Sequence, residues 1–142
     1  VVLWAYARGG DLSKEDETAL DTVTYSAHIA AELGAHIIKV KLPSAHFADE
    51  KSKQLMDQAG IPYDSLADRV NYIVKSTFDG RRIVINSGGA ARGDVDVFDQ
   101  IRAIRDGGGF GSIIGRNSFQ RPRDEALRFL DTIMGIYAGE IE

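Results

Sequence analysis

The chain has 142 residues, a net charge of −4, 44% hydrophobic residues and no cysteine, a composition that suits a single core-forming unit over residues 1–142 and excludes a disordered chain. Without cysteine there is no disulfide scaffold, no thiolate nucleophile and no Cys-ligated zinc or iron–sulfur centre, and a reducing cytoplasm is the expected compartment. The acidic balance, with no long Lys/Arg cluster, argues against nucleic acid, and no apolar run nears the roughly 20 residues that span a membrane, so a small anionic metabolite stays open as partner.

In chain order, the opening Val1-Val2-Leu3-Trp4 has no initiator Met and no polar lead-in. It enters a strand at once, so the chain is expected to be the tail of something longer. That first strand reads from Val1 to Tyr6. A helix follows, with its apolar stripe on Leu20, Val23, Ala27, Ala30 and Leu33, capped by Ser13 or Asp11 and ended by Gly34. His36 to Lys41 forms the second strand. Pro43 to Asp64 reads as a polar insertion with a short helix of its own over Asp49 to Gln58. A helix over Ser65 to Phe78, a strand over Arg82 to Ser87 and a helix over Val95 to Arg105 come next, the last stopped by Gly107 to Gly109. Gly111 to Gly115 is the fourth strand, and a final helix after Pro122 carries Leu127, Leu130, Ile133, Met134 and Tyr137.

Strand starts at residues 1, 36, 82 and 111 are too far apart for hairpins and require crossover helices, which makes the sheet parallel and the class α/β. An eight-stranded barrel of about 250 residues spends roughly 31 on each strand and helix. Four units in 142 residues therefore fit half a (β/α)8 barrel. An open flavodoxin-like sheet fits nearly as well, because periodicity does not say whether strands close.

Three groups of residues point to chemistry. In the second strand Ile37, Lys39 and Lys41 share one face and His36, Ile38 and Val40 the other. A lysine among aliphatic neighbours loses hydration, and its neutral amine attacks a ketone to form an imine; alternatively, both lysines sit at the strand mouth and reach water. In the first strand Trp4 and Tyr6 point the same way just before Arg8-Gly9-Gly10, either as a phenol placed to shuttle a proton or as core aromatics satisfied at the rim. The third strand ends in Ser87-Gly88-Gly89 and the fourth in Gly115-Arg116-Asn117. Two such loops offer backbone N–H groups, a hydroxyl and a guanidinium to one phosphate. The competing reading is that the glycines supply positive φ and Arg116 a surface ion pair. His28, His36 and His46 lack metal-ligand spacing, so no metal is expected, and the acidic residues read as solvated helix faces.

Together, Leu3-Trp4-Ala5-Tyr6-Ala7-Arg8-Gly9-Gly10, Gly34-Ala35-His36-Ile37-Ile38-Lys39-Val40-Lys41, Ile85-Asn86-Ser87-Gly88-Gly89-Ala90-Ala91 and Gly111-Ser112-Ile113-Ile114-Gly115-Arg116-Asn117 closely resemble the archaeal and bacterial type of class I fructose-bisphosphate aldolase. The resemblance covers nearly the whole chain. It implies strands five to eight of a (β/α)8 barrel and a cytoplasmic, homo-oligomeric lyase of glycolysis and gluconeogenesis. Such an enzyme needs no cofactor or metal and cleaves fructose 1,6-bisphosphate to dihydroxyacetone phosphate and glyceraldehyde 3-phosphate. On that resemblance Lys39 is the Schiff-base lysine, Trp4 and Tyr6 are active-site aromatics with Tyr6 as acid/base, and Ser87, Gly88, Gly89, Gly115 and Arg116 bind substrate phosphate. Lys41 is a candidate for tuning Lys39 as a neighbouring cation.

Two departures stand out. Ala7 occupies the place of the family's usual proline, and the aspartate that the family takes from its first strand has no counterpart in this chain. The insertion from Pro43 to Asp64 resembles the larger bacterial members. Related readings are a Schiff-base transferase or thiolase acting on another phosphorylated ketose, and an inactive phosphosugar-binding fragment.

Overall fold

The structure, a computed structural model, describes residues 1–88 and 93–142. Its elements are β1 (Val2–Trp4), a 3-10 turn (Asp16–Thr18), α1 (Leu20–Glu32), β2 (Ile37–Val40), α2 (Glu50–Ala59), α3 (Leu66–Ser76), β3 (Ile83–Ser87), α4 (Asp94–Asp106), β4 (Gly111–Ile113), α5 (Arg116–Phe119) and α6 (Arg123–Ala138).

The strands form one parallel sheet in the order β1-β2-β3-β4. Trp4 lies beside Lys39, Lys39 beside Ile85, and Ile85 beside Gly111. A flavodoxin-like sheet would insert its first strand between the second and third and carry helices on both faces. Here sequence order and spatial order agree, and the helices lie on one face, as in four consecutive units of a (β/α)8 barrel. The covered face is marked by burial: Ile38 and Val40 of β2 are inaccessible to solvent, and Val84 and Asn86 of β3 are buried with them. Leu20, Val23 and Ala27 of α1 and Ile73 of α3 close over them. A second cluster, Val97, Ile101 and Ile104 with Phe129, Ile133 and Ile136, joins α4 to α6. The opposite face carries Val2, Trp4 and Ile113, all exposed, and no helix of the described residues is long and apolar enough to cross a membrane.

Three local readings need correction. β1 and β4 are shorter than their apolar runs, ending at Trp4 and Ile113, because the chain beyond each turns into a loop where ladder pairing stops. Neither Asp11 nor Ser13 caps α1, which starts after Ala19 with no side-chain cap. Ser13 instead pairs with the start of the 3-10 turn, its Oγ accepting from Asp16 N at 3.1 Å while Asp16 Oδ2 accepts from Ser13 N at 3.0 Å. The short α5 adds a helical turn between β4 and α6, too brief to show any apolar period in the sequence.

Elsewhere the local chemistry acts as the sequence suggests. Ser65 caps α3 in a reciprocal box with Asp68. The glycine triplet ends α4: Gly108 takes a φ of 82° and Gly109 N donates to Ile104 O at 2.8 Å. A Cβ on Gly107 would lie 2.5 Å from Ala67 O, so only glycine lets α4 end against α3. The Pro43–Asp64 insertion is tied at both ends by Arg69, which donates to Pro43 O, Tyr63 O and Asp64 O. Asp21 of α1 accepts from Ala48 N and Asp49 N and holds its middle.

Candidate active site

The alternation of β2 sets the site. With Ile38 and Val40 buried beneath the helices, Lys39 must emerge on the uncovered face, and Lys41 follows it there. Register places Trp4 directly beside Lys39, and its ring centroid lies 4.3 Å from Lys39 Nζ. Tyr6, just past the end of β1, stacks near Trp4 with centroids 6.3 Å apart. Three cations surround the Tyr6 ring: Lys39 Nζ at 6.0 Å, Lys41 Nζ at 5.9 Å and the Arg8 guanidinium carbon at 5.9 Å. Aromatic faces attract cations by about 0.5–1 kcal/mol each at exposed sites, enough to orient flexible amines.

The sequence reading missed Glu17, because it treated the acidic residues as solvated. Glu17 lies in the 3-10 turn between β1 and α1 and is 7% exposed. Lys14 Nζ donates to its Oε1 at 2.6 Å and Lys41 Nζ to its Oε2 at 2.7 Å. The hydrogen bond from Lys14, then that from Lys41, holds the carboxyl at about 2 against an ordinary 4.5. The legible signal was Lys41 itself: a second lysine on a half-buried strand face calls for a countercharge. Among the described residues, no carboxylate forms an ion pair with Lys39.

Parallel strands put every strand-to-helix loop at one end of the sheet, so the candidate phosphate loops share an end with Tyr6 and Lys41. Ser87 closes β3 opposite Ile113, two residues past the neighbour of Lys39. Gly88 N donates to Ile113 O at 3.0 Å, and a Cβ on Gly88 would sit 3.2 Å from that oxygen. Neither Gly88 nor Gly115 has a positive φ, so at these two positions the glycine does not serve a left-handed turn: at Gly88 the smallness serves close approach to β4, and at Gly115 contact with Phe119. Arg116 opens α5 with its side chain exposed. Gly89 lies outside the described residues. Among those described, no three His, Asp or Glu side chains gather closely enough to hold a metal ion.

The pattern described as "DeoC/LacD family aldolase" matches residues 1–121. The chain belongs to this aldolase family. As a DeoC/LacD family member it is 32% identical to the probable fructose-bisphosphate aldolase class 1 of Chlamydia muridarum, over 96% of this chain and 42% of that protein. It superposes on the fructose-bisphosphate aldolase of Slackia heliotrinireducens with a TM-score of 0.76 and 30% identity, covering 99% of this chain and 39% of the other. An archaeal fructose-1,6-bisphosphate aldolase, solved with its catalytic lysine covalently bound to the carbinolamine intermediate of the substrate, matches with a TM-score of 0.70 and 28% identity, over 96% of this chain and 44% of that one. The chain thus spans about two fifths of the length of the relatives it matches.

Proposed function

We propose that this chain carries the Schiff-base half of a class I fructose-bisphosphate aldolase. The supporting observation is Lys39, whose amine stands on the uncovered face against Trp4 and beside Tyr6 while the neighbouring Lys41 is engaged by Glu17. Lys39 Nζ adds to the C2 ketone and water leaves, giving an iminium that draws the C3–C4 electron pair into an enamine while the C4 hydroxyl gives its proton to Tyr6 Oη and glyceraldehyde 3-phosphate departs. Tyr6 then returns that proton to C3, and hydrolysis of the imine releases dihydroxyacetone phosphate and restores the Lys39 amine. Ser87, Gly88, Gly89, Gly115 and Arg116 hold substrate phosphate and with it the register of the ketone. The same reading makes the protein a cytoplasmic enzyme of glycolysis and gluconeogenesis, in keeping with its cysteine-free composition, and a homo-oligomer.

Borohydride reduction in the presence of dihydroxyacetone phosphate should attach the sugar to Lys39 of the complete polypeptide. Lys39→Met should abolish the adduct and lower kcat for cleavage by more than about a thousandfold, as expected for loss of a covalent nucleophile. Wild-type protein that cleaves the sugar without a trappable amine would refute the reading. Other phosphorylated ketoses, assayed beside fructose 1,6-bisphosphate, test the choice of substrate.

A further inference from the structure

Two lysines stand on the same strand face, and proximity to the phenol does not separate them, since Lys39 Nζ and Lys41 Nζ lie 6.0 and 5.9 Å from the Tyr6 centroid. What separates them is a carboxylate. We infer that Glu17 is the positioning residue that decides which lysine reacts, clamping the Lys41 ammonium so that Lys39 is the amine left open to a ketone. This rests on the Schiff-base reading above and deepens it.

An amine attacks only through a lone pair that can reach the ketone carbon, and a nitrogen held 2.7 Å from a carboxylate oxygen is not free to do so. The Glu17 side chain is 8% exposed and that of Lys41 21%, so solvent screens the pair little, whereas the Lys14 side chain on the other oxygen is 91% exposed. The hydrogen bonds from Lys14 and Lys41 keep the Glu17 carboxyl ionised far below neutrality. The turn that carries Glu17 is stitched to the segment just beyond Lys41. Thr18 O accepts from Ser44 N at 2.8 Å and from Ser44 Oγ at 3.0 Å, and His46 O accepts from Leu20 N at 2.9 Å. Both ends of the clamp are thereby fixed to each other by backbone as well as by charge.

Trapping reads the selection directly. The amine adds to C2 of dihydroxyacetone phosphate, water leaves, and borohydride delivers hydride to the imine carbon, leaving a stable secondary amine that fragmentation mass spectrometry assigns to one lysine. In the complete wild-type polypeptide the adduct should sit on Lys39. In Glu17→Gln, which no longer holds the Lys41 nitrogen with a charged oxygen, the share on Lys41 should rise by on the order of tenfold, and Glu17→Asp should restore most of the selectivity. A folded Glu17→Gln protein trapped on Lys39 in the wild-type proportion would overturn the inference. If that variant fails to fold, limiting acetic anhydride on wild-type protein decides: Lys39 should be acetylated faster than Lys41, and equal or reversed rates overturn the clamp. A wild-type protein with no adduct on either lysine overturns the Schiff-base reading itself, and the acetylation rates then judge the clamp alone.

Discussion

Tyr6 owes its surroundings to period-2 geometry: it follows Trp4 on the same face of the chain, and Lys39 of β2 and Lys41 just past its end face it at nearly equal distances. Tyr6→Phe keeps the ring that orients these cations and removes only the hydroxyl. Borohydride trapping on Lys39 should therefore persist while steady-state cleavage falls by about 10²–10⁴-fold, the usual range for a proton-transfer group. Asn86 presents the opposite situation on the helix-covered face, at 1% exposure, where among the described residues neither its Nδ2 nor its Oδ1 has a partner. An unsatisfied buried amide is expensive, so replacing it with an apolar side chain of similar size relieves a penalty. Asn86→Leu should therefore raise stability, by up to about 1 kcal/mol, as read from urea unfolding.

Between the elements, a bridge from His46 to Asp16 joins the connections after β1 and β2, beside the Lys41–Glu17 pair and the backbone hydrogen bonds. His46 Nε2 lies 2.8 Å from Asp16 Oδ1. The hydrogen bond to Asp16 raises the His46 pKa above its ordinary 6.5. Hydrogen bonds from Ser13 first and His46 second lower Asp16 from 3.8 to about 2. A raised histidine stabilises the fold fully below its unfolded pKa and loses that contribution as pH rises through the folded value. A lowered aspartate contributes above 3.8 and loses it as pH falls towards 2. Thermal unfolding of wild type against His46→Gln should therefore show a gap at pH 5.5 that closes at pH 8.5; a gap of equal size at both would remove the bridge from the account. α3 depends on its own N-terminus, where Ser65 Oγ accepts from Asp68 N at 3.0 Å. Ser65→Ala should cost about 1 kcal/mol in denaturant unfolding.

For the whole molecule, the decisive fact is that, among the described residues, the sheet has helices on one face only. Ile38 and Val40 of β2 and Val84 of β3 are buried against α1 and α3, and Ile38→Ala, in that layer, should cost about 2–5 kcal/mol. The other face leaves Trp4 67% and Val2 52% exposed, and β1 and β4 are edge strands of the described sheet. Unpaired edges beside exposed apolar side chains invite association. The 142-residue chain by itself should sediment as oligomers or aggregates, whereas a monomer with no concentration dependence would contradict this expectation.

Alternation in His36 to Lys41, the Ser65 cap and the glycine stop after α4 were legible from residues alone, because each depends on neighbours within one turn or one strand. The parallel class followed from strand spacing. Trp4, Tyr6 and Lys39 were legible as candidates for the same reason, since side-chain direction along a strand is a local property. Spatial strand order was not local, and it chose the barrel-type sheet over the flavodoxin-like one. Nor did any sequence pattern mark Glu17 within the acidic run Glu15-Asp16-Glu17, since a carboxylate's partner is fixed by chain brought together from 24 residues away. Local rules thus assigned each element and the direction of its side chains, and tertiary packing decided which face was covered and which charge met which.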